Sequence, residues 1–199
     1  TTSVAGITSS PDDRVNFTIL VEEMRELFGN EILITAAVPA GAGSKYYETA
    51  KLANLLDYWH IMSYDMSPMK KASHHTNLFT SPFSNFSADA AVIGYEAEGM
   101  PIEKMVLGIA FYGHKFITEE DGEHFGIQTN AKRDGSVGYR KIINDYVNNE
   151  EFKIHFDEGA QASWLYGNNE FISYDNEASI AAKCDYVNKH NLSGVMVWE

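Results

Sequence analysis

The sequence predicts an α/β protein that has a parallel sheet and a small inserted α+β unit. Helical patterns alternate with short apolar segments, the order that produces parallel strands joined by helices. The apolar segments lack polar alternation, as expected for strands buried on both faces. Residues 114–175 interrupt the alternation and are too many for a loop. Four parallel strands fit either an open doubly wound sheet or half of an eight-stranded barrel.

The first helix and strand follow from apolar spacing. Apolar residues recur at three- and four-residue steps from Phe17 to Phe28, directly after Asp12 and Asp13, and Gly29 provides a left-handed stop. Residues 32–38 then form a short apolar run, which we interpret as the first strand.

Three more strands and three helices are predicted downstream. Ser44 is a plausible cap for a helix through Leu56, and Ser87 caps a helix that ends before Gly99 and Pro101. The remaining elements are strands at residues 58–64 and 106–112, a helix at 177–191 and a last strand at 194–198.

The interruption is predicted to be a subdomain of its own. It contains a helical pattern at residues 139–149 and alternating segments at 152–156, 162–166 and 171–174, which indicate a small antiparallel sheet. We therefore divide the chain into residues 1–113 with 176–199, and an insertion at 114–175.

Composition excludes several classes of function. The net charge of −13 would repel nucleic-acid phosphates and anionic membrane surfaces, so neither is an expected partner. The one cysteine, Cys184, cannot form an internal disulfide. Because the chain begins without Met and ends on the apolar run before Glu199, we expect it to be a segment of a longer protein.

Two cofactor hypotheses fail on spacing. Residues 41–46 lie where a phosphate-binding loop would lie, but Tyr46 stands where a dinucleotide fingerprint needs glycine, and Ser44 follows Gly43 where a mononucleotide loop needs lysine. His74 and His75 are adjacent rather than four residues apart, so a metal site is not predicted. We expect no cofactor.

Aromatic and acidic side chains follow three of the strands. Tyr64 and Asp65 follow the second strand, Tyr112 and His114 the third, and Trp198 ends the fourth. Because active groups gather at the carboxyl ends of parallel strands, these residues fit a sugar site, where indole stacks on the pyranose ring and phenol and carboxylate bind its polar groups. The alternative is that the aromatic residues belong to the core.

Five sequence motifs together resemble those of the family 18 glycoside hydrolases, which include chitinases and chitinase-like lectins. They lie in order along the chain, at residues 35–41, 62–65, 107–113, 171–176 and 194–198. The resemblance implies the second half of a (β/α)8 barrel, strands five to eight, with the insertion after strand seven. It covers nearly the whole chain.

The resemblance also implies roles for individual residues. Tyr64 would hold the substrate N-acetyl group, Asp65 would contact the distorted sugar at the cleavage point, and Trp198 would form the floor beneath it. The other implied substrate-binding residues are Met62, Tyr112, His114 and Met196. Family members often have arginine at the position of His114.

One element of the family pattern is missing. In the family, the motif that contains the catalytic acid, a glutamate, lies on strand four. This motif is absent here, so no residue of this chain is identified as the acid. With two unpaired sheet edges and no acid, the segment alone is expected to be poorly soluble and inactive.

Two functions within the family remain open. The leading hypothesis is a secreted, monomeric chitinase-like hydrolase of β-1,4-linked N-acetylglucosamine polymers, whose substrate is chitin or chitooligosaccharide. The alternative is a lectin that binds the same ligand without cleaving it. A third hypothesis, outside the family, is a nucleotide-binding domain, which the spacing of residues 41–46 does not support. The extracellular location is inferred from the family.

Overall fold

Two β-sheets organise the chain in the computed structural model, which describes residues 8–41, 45–119 and 124–199. The first sheet is parallel and has four strands, whereas the second is antiparallel and has five. The helices are α1 (Asp13–Phe28), α2 (Thr49–Leu52), α3 (Ala88–Ala97), α4 (Tyr139–Lys141, continued as a π-helix at Ile142–Val147) and α5 (Glu177–His190). The strands are β1 (Thr35–Pro39), β2 (Tyr58–Met62), β3 (Met105–Ala110), β4 (Tyr112–Thr118), β5 (Ala131–Gly138), β6 (Lys153–Asp157), β7 (Ala162–Gly167), β8 (Glu170–Tyr174) and β9 (Gly194–Trp198).

The parallel sheet has the strand order β1-β2-β3-β9, so neighbouring strands follow one another along the chain apart from the insertion. Its main core lies on one face, where side chains of α1, α2, α3 and α5 pack against the strands. Trp59 and Leu107 are fully buried at the centre of this face, and Val21, Tyr95 and Val187 come from the covering helices. Burial of this apolar face is the main stabilising contribution to the sheet.

The expectation that every strand of this sheet is buried on both faces is wrong. All six residues of β3 are buried, but β1 has one buried residue, Val38, and β9 has none. The physical reason is that β1 and β9 are the two edges, and no described helix covers the second face. Val197, for example, is half exposed.

The antiparallel sheet has the order β5-β4-β8-β7-β6 and is formed by the chain between Tyr112 and Tyr174. Two of its strands, β4 and β5, were not predicted. The predicted third strand of the parallel sheet is also too long, because β3 ends at Ala110 and Tyr112 already belongs to β4. A Cβ on Gly113 would lie 2.7 Å from the carbonyl oxygen of Ser173, so glycine is needed at this position, where β4 pairs with β8.

Several predicted helix ends are confirmed and others are corrected. Gly29 ends α1 at a φ of 61°, and Ser87 caps α3 by accepting a hydrogen bond from the amide of Ala90. The helix predicted to extend to Leu56 is only the short α2, and its proposed cap, Ser44, lies outside the described residues. No helix in the described ranges is long and apolar enough to cross a membrane.

Candidate functional site

The site begins where β2 leaves the parallel sheet. Ser63 is fully buried, and its hydroxyl takes over the ladder hydrogen bonds: it donates to the carbonyl of Gly108 and accepts from the Gly108 amide, both at 2.9 Å. These two hydrogen bonds hold the next residue, Tyr64, over β3. A Cβ on Gly108 would lie 2.9 Å from Cε1 of Tyr64, so the phenol ring needs glycine beneath it.

Asp65 is the polar centre of the site. Its backbone has a φ of 59°, which is uncommon for a residue other than glycine and directs the side chain away from the strand path. Its Oδ1 accepts a hydrogen bond from the Tyr112 hydroxyl at 2.7 Å and lies 2.6 Å from Nε2 of His114. The carboxylate is therefore fixed by two residues of β4 while remaining open to solvent.

The surroundings of Asp65 set the protonation states. The hydrogen bonds from His114 and Tyr112 lower the pKa of Asp65 to about 2, so it is ionised at neutral pH. Burial lowers the pKa of the His114 imidazole, which is therefore neutral. The pKa of the Tyr64 phenol is raised by burial and by the Asp65 charge, and that of Tyr112 is also raised, chiefly by burial.

A cavity of about 350 Å³ opens beside these groups. It is lined by residues from β1, β2 and the loops that follow them: Pro39, Ala40, Gly41, Met62, Tyr64, Asp65, Met66 and Phe86. The lining is mostly apolar and carries one carboxylate and one phenol, which is the usual composition of a small-ligand site. Three predicted site residues, Met62, Tyr64 and Asp65, therefore share one hollow.

Tyr112 and Met196 pack beside the cavity residues but do not line the cavity themselves. The rings of Tyr64 and Tyr112 meet edge to face, with their centroids 6.1 Å apart. These two tyrosines form an apolar cluster with Ala110, and Met62 and Met196 pack against it. Trp198 lies two residues beyond Met196, on the same face of β9, and pairs with Ala110 in the sheet. Its indole is 58% exposed and is not part of the cavity lining.

The loop after β2 is held against the insertion by buried polar groups. The amide of His75 donates to the Ser173 hydroxyl at 3.0 Å, and the His75 ring stacks on His114 with centroids 4.2 Å apart. Thr76 donates to Asp175, whose carboxylate forms an ion pair with the fully buried Lys183 at 2.6 Å.

Asp175 connects this loop to the parallel sheet as well. Its Oδ2 also accepts from the amide of Ala110, at the end of β3 and two residues before Tyr112. The ion pair with Lys183 thus links α5, the insertion and the strand ends beneath the site.

Asp65, His75 and His114 each place one metal-binding atom within 4.8 Å of the others. Two features oppose a cation at this position. The rings of His75 and His114 are stacked, with centroids 4.2 Å apart and planes inclined by 21°, so their in-plane lone pairs lie in separate, nearly parallel planes and are poorly placed to meet at one ion. In addition, Nη2 of Arg133 lies 2.6 Å from Nε2 of His114. We therefore interpret the cluster as part of the hydrogen-bond network around Asp65.

Sequence reasoning missed several residues of the site. The sequence presents His75 only as half of an adjacent histidine pair, and nothing in its spacing indicates a stack with His114. Arg133 lies in a strand that was not predicted. Phe86 lines the cavity from the loop before α3, and its position just before the Ser87 cap, near the carboxyl end of β1, could have drawn attention to it.

A family profile and several curated proteins match almost the whole chain. The sequence profile of the family described as "Glycosyl hydrolases family 18" matches residues 5–199. Chitinase A1 of Niallia circulans is 28% identical over 224 residues, which cover 98% of this chain and 32% of that protein. The chain spans 29–44% of the length of three such curated relatives.

Solved structures superimpose over almost the whole chain. A family 18 N-acetylglucosaminidase from Paenibacillus barengoltzii is 35% identical with a TM-score of 0.84, over 98% of this chain and 61% of that one. The Group IV chitinase of Ostrinia furnacalis in complex with allosamidin is 26% identical with a TM-score of 0.89, over 98% of this chain and 58% of that one.

Proposed function

The chain belongs to family 18 of the glycosyl hydrolases, and on that basis we propose that the protein containing it cleaves β-1,4-linked N-acetylglucosamine polymers. The observation that carries the proposal is the hollow at the carboxyl end of the parallel sheet, where Tyr64 and the ionised Asp65 face an apolar wall. A neutral sugar that bears an amide suits this combination, because carboxylate and phenol bind its polar groups while the wall covers its carbon face. The net charge of −13 does not oppose a neutral substrate.

The proposal includes a barrel architecture. The sequential strand order, with helices on one face and an uncovered opposite face, suits strands five to eight of a (β/α)8 barrel better than a doubly wound sheet, whose order reverses and whose helices cover both faces. We assign residues 1–113 and 176–199 to the barrel and 114–175 to the insertion. The half that would pair with the edges β1 and β9 would also supply the catalytic acid.

The proposed chemistry is substrate-assisted and retains the anomeric configuration. The acetamido oxygen of the substrate attacks the anomeric carbon, the glycosidic bond breaks, and its electron pair leaves with the oxygen that the acid protonates, which forms an oxazolinium ion. Water then attacks the anomeric carbon, the bond to the acetamido oxygen breaks, and the proton of the water passes to the deprotonated acid, so the original configuration is restored. Tyr64 would orient the acetamido group for this attack, and Asp65 would hold the distorted ring. Tyr112 and His114 keep Asp65 ionised and fixed, and would bind the sugar beyond the scissile bond.

Trp198 and the two methionines complete the proposed site. The exposed indole would form the floor under the reacting ring, and Met62 and Met196 would line the hollow around it. Loss of the stacked floor would misplace the ring. Because a displacement of about 1 Å costs roughly 100-fold in rate, Trp198→Ala should lower turnover by about that factor.

Kinetics on the full-length protein test the proposal. N-acetylglucosamine oligomers should be hydrolysed, Trp198→Ala should be about 100-fold slower, and Tyr64→Phe should lower kcat more than it raises KM. Oligomer binding without hydrolysis by the wild-type protein would favour the lectin alternative. Unchanged turnover in both variants would mean that the reaction takes place elsewhere.

Location and assembly follow from the same proposal. An enzyme that acts on chitin works outside the cell, so we propose that the protein is secreted, and that it acts as a monomer with neither nucleic acid nor membrane as partner. Residues 1–199 expressed alone should show no hydrolysis, because no residue among them is identified as the acid.

A further inference from the structure

Among the described residues, Arg133 is the one strongly basic group in hydrogen-bond contact with the imidazole that borders Asp65. Its position follows from a β-bulge: Lys115 pairs with Gly135 and Phe116 with Arg133, so Asp134 is an extra residue in β5. Arg133 therefore shares a face of the sheet with Phe116 and His114. Its Nη2 lies 2.6 Å from Nε2 of His114.

The nitrogen Nε2 of His114 cannot hydrogen-bond to both Asp65 and Arg133 at once. It lies 2.6 Å from the carboxylate oxygen of Asp65, which only accepts, and 2.6 Å from the guanidinium of Arg133, which only donates. With a proton, Nε2 donates to Asp65, and without one it accepts from Arg133. Ser67 fits either tautomer, because its hydroxyl lies 2.7 Å from Nδ1 and can donate or accept.

Nε2 of His114 is therefore protonated and donates to the carboxylate of Asp65. A neutral imidazole that turned its lone pair toward Asp65 would face an ionised oxygen at 2.6 Å, which is repulsive, whereas an N–H there forms a charge-assisted hydrogen bond. Arg133 then keeps donors that no protein group satisfies well. Its remaining contacts are long, at 3.4 Å to Ser136 and 3.8 Å to the sulfur of Met69, and it forms no ion pair within the described ranges.

We propose that Arg133 is a substrate-binding residue, which donates from the insertion to an oxygen of the sugar held beside Asp65. The inference rests on the proposed function. Asp65 and Arg133 together carry no net charge, so they select a neutral group that both donates and accepts, such as an acetamido group or a hydroxyl. A carboxylate-bearing sugar would meet the guanidinium but also the charge of Asp65, and should bind less well.

The test is steady-state hydrolysis of an N-acetylglucosamine tetramer by the full-length protein, with binding compared through KM; if the wild-type protein does not cleave the tetramer, calorimetric titration gives the dissociation constant instead. Arg133→Gln should weaken binding by roughly 10- to 100-fold, the usual effect of losing a charge-assisted hydrogen bond. Arg133→Lys should be intermediate, because it keeps the charge but loses the planar fork. Arg140→Gln is the matched control: it removes an exposed arginine that follows the same strand, and should bind like wild type.

The possible outcomes separate the two proposals. If the wild-type protein binds the tetramer and Arg133→Gln binds it within two-fold, the role of Arg133 is refuted while the proposed function stands. Equal weakening by Arg133→Gln and Arg140→Gln would show a general charge effect and would also refute it. A wild-type protein that does not bind the tetramer would refute the proposed function itself. Tighter binding of a carboxylate-bearing oligomer, lost in Arg133→Gln, would overturn the preference for a neutral sugar.

Discussion

Gly108→Ala should move Tyr64 without removing any side chain of the site. The added methyl would lie 2.7 Å from the Ile61 carbonyl oxygen, 2.9 Å from the Ser63 amide nitrogen and 2.9 Å from Cε1 of Tyr64. The first two atoms are backbone and cannot rotate away, so β2 and the phenol ring must shift together. Overpacking of this kind costs about 1–3 kcal/mol of stability.

The functional effect should exceed the loss of stability. If the ring of Tyr64 is displaced by about 1 Å, the orientation of the acetamido group is lost, and kcat should fall by roughly 100-fold. Gly138→Ala is the matched control, because Gly138 has a φ of −62° and no atom within 4 Å of the added methyl, so its stability should change by less than about 0.5 kcal/mol.

Two measurements on the full-length protein decide the matter. Chemical denaturation gives the free energy of unfolding, and steady-state hydrolysis of an N-acetylglucosamine oligomer gives kcat. Wild-type kcat in Gly108→Ala, with the expected loss of stability, would refute the claim that the position of the Tyr64 ring controls the reaction.

Three further predictions concern the hydrogen bonds and the ion pair of Asp157, Asp175 and Asp65. Hydrogen bonds from His74 and from two backbone amides lower the pKa of Asp157 from 3.8 to about 2. The ionised Asp157 therefore stabilises the folded state above pH 4, and this contribution is lost as the pH falls toward 2. In denaturation experiments, Asp157→Asn should lower the free energy of unfolding by about 2 kcal/mol at pH 6 and by almost nothing at pH 2. Lys183→Met leaves the Asp175 charge buried without its partner and should cost about 3 kcal/mol or more, and the double variant with Asp175→Asn should recover part of this loss, whereas a strictly additive double variant would argue against coupling. Tyr112→Phe removes one donor to Asp65, so the carboxyl pKa followed by NMR should rise from about 2, and an unchanged pKa would contradict the hydrogen bond.

Much of the parallel layer could be predicted from the sequence, because its signals are local. The helix stop at Gly29 and the cap at Ser87 depend on residues within one turn of the helix end. The apolar run before Met62 is recognisable without knowledge of its neighbours. The antiparallel sheet was harder, since β4 and β5 are paired around a bulge and β5 has exposed polar residues with no clean alternation.

The site shows the same limit. The positions of Tyr64 and Asp65 follow from the rule that active groups lie at the carboxyl ends of parallel strands. The contact of Arg133 with His114 depends on the pairing of β4 with β5, and the ion pair of Lys183 with Asp175 depends on the docking of α5. Neither pairing has a signal in the spacing of residues along the chain.

The most direct test of the proposed function is a crystal structure of the full-length protein with a bound N-acetylglucosamine oligomer. We expect the acetamido group of one sugar to accept a hydrogen bond from the Tyr64 hydroxyl within about 3.2 Å, with the carbon face of that ring against the indole of Trp198. An oligomer bound away from Tyr64, or bound with the indole still facing solvent, would contradict it.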